Sequence, residues 1–188
     1  RQVGLGGSSA IITAVMRALA RFYEAPIPKD ILPNVVLASE TEELQLSAGL
    51  QDRVVQAYGG VVYMDFDKDY MDKNGYGRYE QLERDVLPQL YMAYWPEPGQ
   101  ESGRSHDRVR ERYELGDEQV IETMDRIADL ADDARYALEN GTQDELPDIL
   151  DQNFDLRDRI YPVDEHDHDM VRRARQVGAS AKLCGSGG

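Results

Sequence analysis

Apolar positions Ile11, Ile12, Val15, Met16, Leu19, Phe22 and Tyr23 recur every three or four residues. The spacing predicts a helix with a wide, largely buried apolar stripe, ended by Pro26 and Pro28. A second helix is expected over 33–46, carrying the acid cluster Glu40, Glu42 and Glu43. AGLQDRVVQAYGG reads as a loop, a short helix from Asp52 and a glycine stop. In GVVYMDFD the period changes to two, with Val62, Met64 and Phe66 on one face, as in a strand. The polar stretch 68–84 is expected as a loop or exposed hairpin, and VLPQLYMAYW as a buried strand. PEPGQESG is a turn-rich linker, which places a domain boundary near Leu87.

Beyond it the pattern is helical. Asp117 is placed to cap a helix whose Val120, Met124, Ile127, Ala131, Ala134 and Leu138 form one stripe, stopped by Asn140 and Gly141. Two shorter helices follow over about 144–159 and 166–177, and the chain closes in a second glycine-rich loop, GASAKLCGSGG. No internal repeat is visible.

Composition changes the picture in one respect. Among the 188 residues, 36 acids face 21 bases, a net charge of −15 that opposes nucleic acid or an anionic membrane as partner. Lysine occurs only at 29, 68, 73 and 182. Such a surface stays hydrated in high salt, so a halophilic source is one expectation and an ordinary acidic enzyme the other; stability that fails to rise with KCl excludes the first. No apolar run approaches the roughly 18 residues of a membrane span. A single cysteine, Cys184, excludes an internal disulfide and makes the cytoplasm the expected location. The absence of an initial Met reads as a fragment of a longer chain.

Two loops can carry chemistry. In GLGGSSA at 4–10 the glycines let backbone N–H groups approach an anion at a helix start, and a serine hydroxyl can reach a Mg²⁺. It is not a Walker loop, since no Lys follows, nor a dinucleotide fingerprint, since Ser9 stands where the third glycine belongs. The alternative is a glycine turn capped by serine. Asp52 is either a helix cap or a carboxylate that orients an acceptor hydroxyl, with Arg53 beside it to keep it ionised. The acids upstream are either a solvated face or the source of a Mg²⁺ carboxylate. In DFDKDYMDKNGYGRYE, setting Gly75 at the sixth position of a calcium loop puts Tyr70 first and Gln81 last, where carboxylates are required, and DEHDHD reads as an acidic helix start. The arginines of GRSHDRVRERY alternate with acids, as on a salt-bridged helix.

Together these pieces resemble the GHMP kinase superfamily, with GLGGSSA similar to its second motif and AKLCGSGG to its third. AGLQDRVVQAYGG, YMDFDKDYMDKNGYGRY, HDRVRERY and NFDLRDR resemble the glucuronokinase branch, in order from end to end of the chain, and two of the motifs, AGLQDR with QAYGG and MDKNGYG, are narrower than the superfamily pattern. The resemblance implies an α+β fold, with 1–87 part of the N-terminal domain and 88–188 part of a helix-rich C-terminal one. It also implies a first motif upstream and further strands downstream, so that the chain alone lacks part of each site.

The roles implied are these. ATP phosphates would lie against Gly4, Gly6, Gly7 and Ser8, with Gly185, Ser186 and Gly187 shaping the floor of the site. Ser9 and Glu40 would hold Mg²⁺, with Glu43 as fallback, and Asp52 would be the catalytic base. Cys184 is expected to pack rather than react. The implied reaction is phosphorylation of the anomeric hydroxyl of D-glucuronate. Its carboxylate calls for an arginine, and Arg157 or Arg53 is expected to grip it, the alternative for Arg157 being an ion pair with Asp155 or Asp158. Another sugar kinase of the superfamily, for heptose phosphate or galacturonate, and a non-catalytic ligand-binding homologue are the competing readings. The expected partner is a small sugar or uronic acid, with no nucleic acid or membrane; the oligomeric state is not legible.

Overall fold

Glycine at position 6 opens the first element. Its φ of 64° lies in the left-handed region, and its carbonyl accepts from Ala10 N–H at 3.1 Å, starting helix α1 (Gly7–Phe22). The computed structural model describes residues 6–45, 48–94, 103–161 and 163–185. These fall into two units, Gly6–Asp85 and the residues from Val86 onward.

In the first unit α1 is followed by α2 (Leu32–Ala38), which continues into a π-helical turn at Ser39–Glu43, and by α3 (Leu50–Tyr58). Leu32, Val36 and Ala57 bury a core between them, with Ile12, Met16, Ile27 and Tyr58 packed around it. The expected burial of α1 is half right. Ile12 and Met16 face this core, but Ile11, Val15, Leu19 and Phe22 are exposed, because three short helices cover only one side of the stripe.

Gly59 closes α3 with φ 73° and leads into β1 (Val61–Asp65), paired antiparallel with β2 (Arg78–Leu82) in the register Val61 to Leu82 and Asp65 to Arg78. Between them the expected loop is a hairpin with its own helix, α4 (Lys68–Asn74), capped by the Asp67 carboxylate on Tyr70 N–H and ended by Gly75. A side chain at Gly77 would meet the Asp65 carbonyl at 2.6 Å, so only glycine lets the strands close there.

VLPQLYMAYW is not the expected strand. Its described part, 86–94, forms no sheet, and Leu90, Tyr91, Met92 and Tyr94 are exposed. A strand requires a neighbour for its N–H and C=O groups, and the only described sheet has two strands, β1 and β2.

The second unit holds α5 (Gly103–Glu114), α6 (Glu118–Asn140), α7 (Leu146–Ile160) and α8 (Glu165–Gln176). Asp117 caps α6 on Val120 N–H and Gly141 ends it in the left-handed region, as the sequence predicts. The buried seam is Val120, Thr123, Leu130 and Ala137, with Ile127 and Ala134 partly covered. Met124 and Ala131, expected on it, are exposed, because packing against α7 selects a 3.5-residue spacing rather than a broad 3.6-residue stripe. Leu146 and Ile149 of α7 complete that core, and Phe154, Val171 and Leu183 form another. No helix among the described residues is long and apolar enough to cross a membrane.

Candidate active site

The first turn of α1 presents N–H groups with no acceptor inside the helix. Directly against it stands Asp52. Helix α3 starts at Leu50 with Gly49 as its cap, so Asp52 lies within the first turn rather than at the cap, and its side chain is about half exposed. A methyl group at Gly6 would meet Asp52 Oδ2 at 3.0 Å and Gln56 Nε2 at 3.1 Å. Glycine is therefore required twice, for its φ and for the approach of the carboxylate.

Gln56, one helical turn beyond Asp52, is the tether that the sequence reading overlooked. Its Nε2 donates to the Gly6 carbonyl and to Ser9 Oγ, both at 2.9 Å, and its Oε1 accepts from Thr13 Oγ1 at 3.2 Å. The signal was present in QDRVVQ, where Gln56 follows Asp52 by four residues and so shares its face.

The two serines divide their work differently from expectation. Ser9 is fully enclosed and its hydroxyl donates to the Gly6 carbonyl at 2.9 Å, so it braces the loop rather than facing a metal. Ser8 is exposed, and its Oγ donates to Glu40 Oε1 at 3.0 Å. A single helical position turns one hydroxyl inward and the next outward.

Glu40 is 1% exposed on the π turn, while Glu43 is exposed to solvent. The wider turn carries Glu40 under the loop. Arg53 answers its buried charge: Nε and Nη2 both donate to Glu40 Oε2, Nε at 2.7 Å, and Nη1 donates to the Gly49 carbonyl at 2.8 Å. All three nitrogens of Arg53 are thus bonded within the protein. Its expected place at the substrate is replaced by a supporting one, with Nη1 also 3.7 Å from Asp52 Oδ2.

Hard oxygen donors, one hydroxyl and two carboxylates, are what Mg²⁺ takes when substrate phosphates and water supply its remaining ligands. Ser8, Glu40 and Asp52 fit that requirement, around a cradle that a Cβ at Gly6 would fill.

In the second unit Gly185 has φ 60°, and its carbonyl accepts from Arg157 Nη1. Neither acid neighbour pairs with Arg157: Asp155 bonds Arg175 at 2.9 Å and Asp158 bonds His168 at 2.9 Å. The guanidinium lies over the Tyr161 ring at 5.1 Å, and burial holds its pKa below the ordinary value. Cys184 is exposed rather than packed. Gly4, Ser186 and Gly187 lie outside the described residues.

Residues 1–60 match the family described as GHMP kinases N terminal domain. Over the whole chain, the sequence is 43% identical to Glucuronokinase 1 of Arabidopsis thaliana, covering 53% of that protein. It is also 43% identical to Probable glucuronokinase 2 of the same plant, covering 52% of it. Mevalonate kinase of Methanothermobacter thermautotrophicus is 28% identical over 98% of the chain and 57% of the relative. The chain thus spans about half the length of the curated relatives it matches. No solved structure matches it significantly. With a GHMP domain match over residues 1–60 and similarity to such kinases along its full length, the chain is similar to GHMP kinases.

Proposed function

We propose that this chain acts in the ATP-dependent phosphorylation of D-glucuronate at its anomeric hydroxyl, giving glucuronate 1-phosphate and ADP. The observation that carries the reading is the convergence of the Gly6 backbone, the Ser8 hydroxyl, Glu40 and the Asp52 carboxylate at the start of α1. Phosphoryl transfer needs little covalent chemistry from a protein, mainly positioning and charge stabilisation. The glucuronokinase names of the relatives supply the acceptor.

In this reading the free N–H groups of Gly7 and Ser8 receive the ATP phosphates at the helix start. Ser8 and Glu40 hold Mg²⁺, which neutralises phosphate charge when bound. Asp52 accepts the proton of the anomeric hydroxyl as its oxygen attacks the γ-phosphorus and the bond to ADP breaks. Arg53 bonds Glu40 and stands beside Asp52, Gln56 fixes the loop, and Arg157 is the arginine for the sugar carboxylate. A soluble cytoplasmic enzyme acting on a small uronic acid fits the acidic composition and single cysteine.

The test is ADP release by the full-length protein with Mg-ATP against free sugars and uronic acids. Turnover on glucuronate, with glucose and galacturonate near background, supports the proposal. Asp52→Asn should lower kcat about 10²–10⁴-fold with unchanged Tm. Turnover on another sugar alone, or near-normal kcat in this variant, overturns it.

A further inference from the structure

Away from the glycine loop and Asp52, the first unit carries a cleft of about 560 Å³ that the proposed chemistry does not use. It lies among the last turns of α1, the 26–29 link, the start of α2 and the end of α3. Arg17 and Arg21 on its edge follow Gly7 by ten and fourteen residues, about 15–20 Å along the helix from the loop. The covered part of the cleft is apolar, with Leu32 and Ala57 buried and Ala20 and Ile27 partly so. Its exposed rim carries three cations, Arg17, Arg21 and Lys29, and one acid, Glu24.

In a chain with 36 acids, none of these cations has a carboxylate within ion-pairing distance among the described residues. Other basic side chains of the first unit do: Lys68 bonds Asp72, Arg78 bonds Asp65, and Arg53 bonds Glu40. Asp30, beside Lys29 in sequence, accepts instead from the Tyr58 hydroxyl at 3.1 Å. Glu24 stands where α1 ends, at φ 52°, and pairs with none of the three.

Helix ends account for part of the arrangement. Arg17 Nη2 donates to the Ala57 carbonyl at 2.8 Å in the last turn of α3, and Arg21 lies in the last turn of α1, where a cation is favoured. They do not account for Lys29, which belongs to no helix and rests over the Tyr58 ring at 4.2 Å. Nor do they account for the apolar surface left uncovered among the three.

We propose that this cleft binds a small phosphomonoester with an apolar or planar body, at a site separate from the loop that heads α1. Three cations against one acid suit a group carrying about two negative charges, as a phosphate monoester does at pH 7. The Arg21 guanidinium bonds no described group, so its fork is free for two phosphate oxygens, and Lys29 adds a point charge. Ala20 and Ile27 offer carbon surface to the body of the ligand. A net charge of −15 turns polyanionic surfaces away, which leaves a small molecule as the occupant.

Calorimetric titration of the full-length protein with phenyl phosphate and with inorganic phosphate tests it. Phenyl phosphate should bind about tenfold more tightly than inorganic phosphate, because its ring covers apolar surface. Arg21→Gln and Lys29→Gln should each weaken phenyl phosphate by about tenfold or more. Lys73→Gln, which removes an equal charge from α4, should change its affinity by less than about twofold. Arg21 is exposed and bonds nothing described, so its variant decides the matter if a Lys29 variant fails to fold. Affinity within about twofold of wild type in folded Arg21→Gln overturns the site, and is also what binding at the α1 loop alone would give. An equal loss in Lys73→Gln, equal affinity for the two probes, or a wild type that does not bind phenyl phosphate overturns it as well. The probe is neither sugar nor nucleotide, so the result stands whether or not the kinase reading does.

Discussion

Replacing Arg53 with Met separates a supporting role from a substrate-gripping one. Glu40 is 1% exposed and Arg53 7%, and Arg53 bonds Glu40 Oε2 through two nitrogens. Removing the guanidinium leaves a carboxylate in the interior with Ser8, among the described residues, as its donor. Breaking a buried pair from one side costs about 3–5 kcal/mol, since desolvation of the remaining charge is no longer offset. For a chain of this length each kcal/mol lowers Tm by about 2–4 °C, so Arg53→Met should melt about 6–20 °C below wild type. Replacing both partners, in Glu40→Leu with Arg53→Met, removes both desolvation penalties and should return stability to within about 1 kcal/mol. Urea unfolding followed by circular dichroism, with equal m-values, measures all four corners of the cycle. A loss under about 1 kcal/mol in Arg53→Met, with a tenfold rise in the sugar KM, would refute the reasoning and return Arg53 to the substrate.

Gly6→Ala should lose about 1–3 kcal/mol and most activity, since Ala pays for φ 64° and its methyl displaces Asp52 and Gln56; unchanged Tm and kcat would contradict this. The serines should part company. Ser9→Ala loses two hydrogen bonds, each about 0.5–1.5 kcal/mol, while the Gly6 carbonyl and Gln56 Nε2 keep each other as partners and the Mg²⁺ requirement is unchanged. Ser8→Ala loses its bond to buried Glu40, about 1.5–3 kcal/mol, and raises the Mg²⁺ concentration needed for half-maximal rate. Burial and the hydrogen bond to Asp30 push the Tyr58 phenol from 10.0 up to about 12. Between pH 10 and 12 the unfolded chain therefore releases this proton while the folded one keeps it, so stability falls as pH rises. Tyr58→Phe should make that decline shallower in thermal melts; an identical slope would deny the shift.

The helices and their ends were legible because their signals are local: Asp117 and Gly141 bound α6, and Gly59 stops α3. The glycine loop and Asp52 were legible because residue type and spacing carry the chemistry. Other readings failed where a distant partner decides. A run such as VLPQLYMAYW is apolar enough for a strand, but pairing is a property of its neighbours. Which face of α6 is buried depended on α7, so Met124 and Ala131 lost their places to Thr123 and Ala137.

The candidate site shows the same division. The sequence by itself determined that a glycine-rich loop heads a helix, that acids and an arginine stand within reach along the chain, and that residues 1–60 resemble the N-terminal domain of GHMP kinases. Only the tertiary structure decided that Glu40 turns inward on a π turn, that Arg53 neutralises it, that Ser8 rather than Ser9 faces it, and that Gln56 ties α3 to the loop. The physical reason is that charge and hydrogen-bonding capacity belong to a residue, whereas burial and partner choice arise only when helices pack.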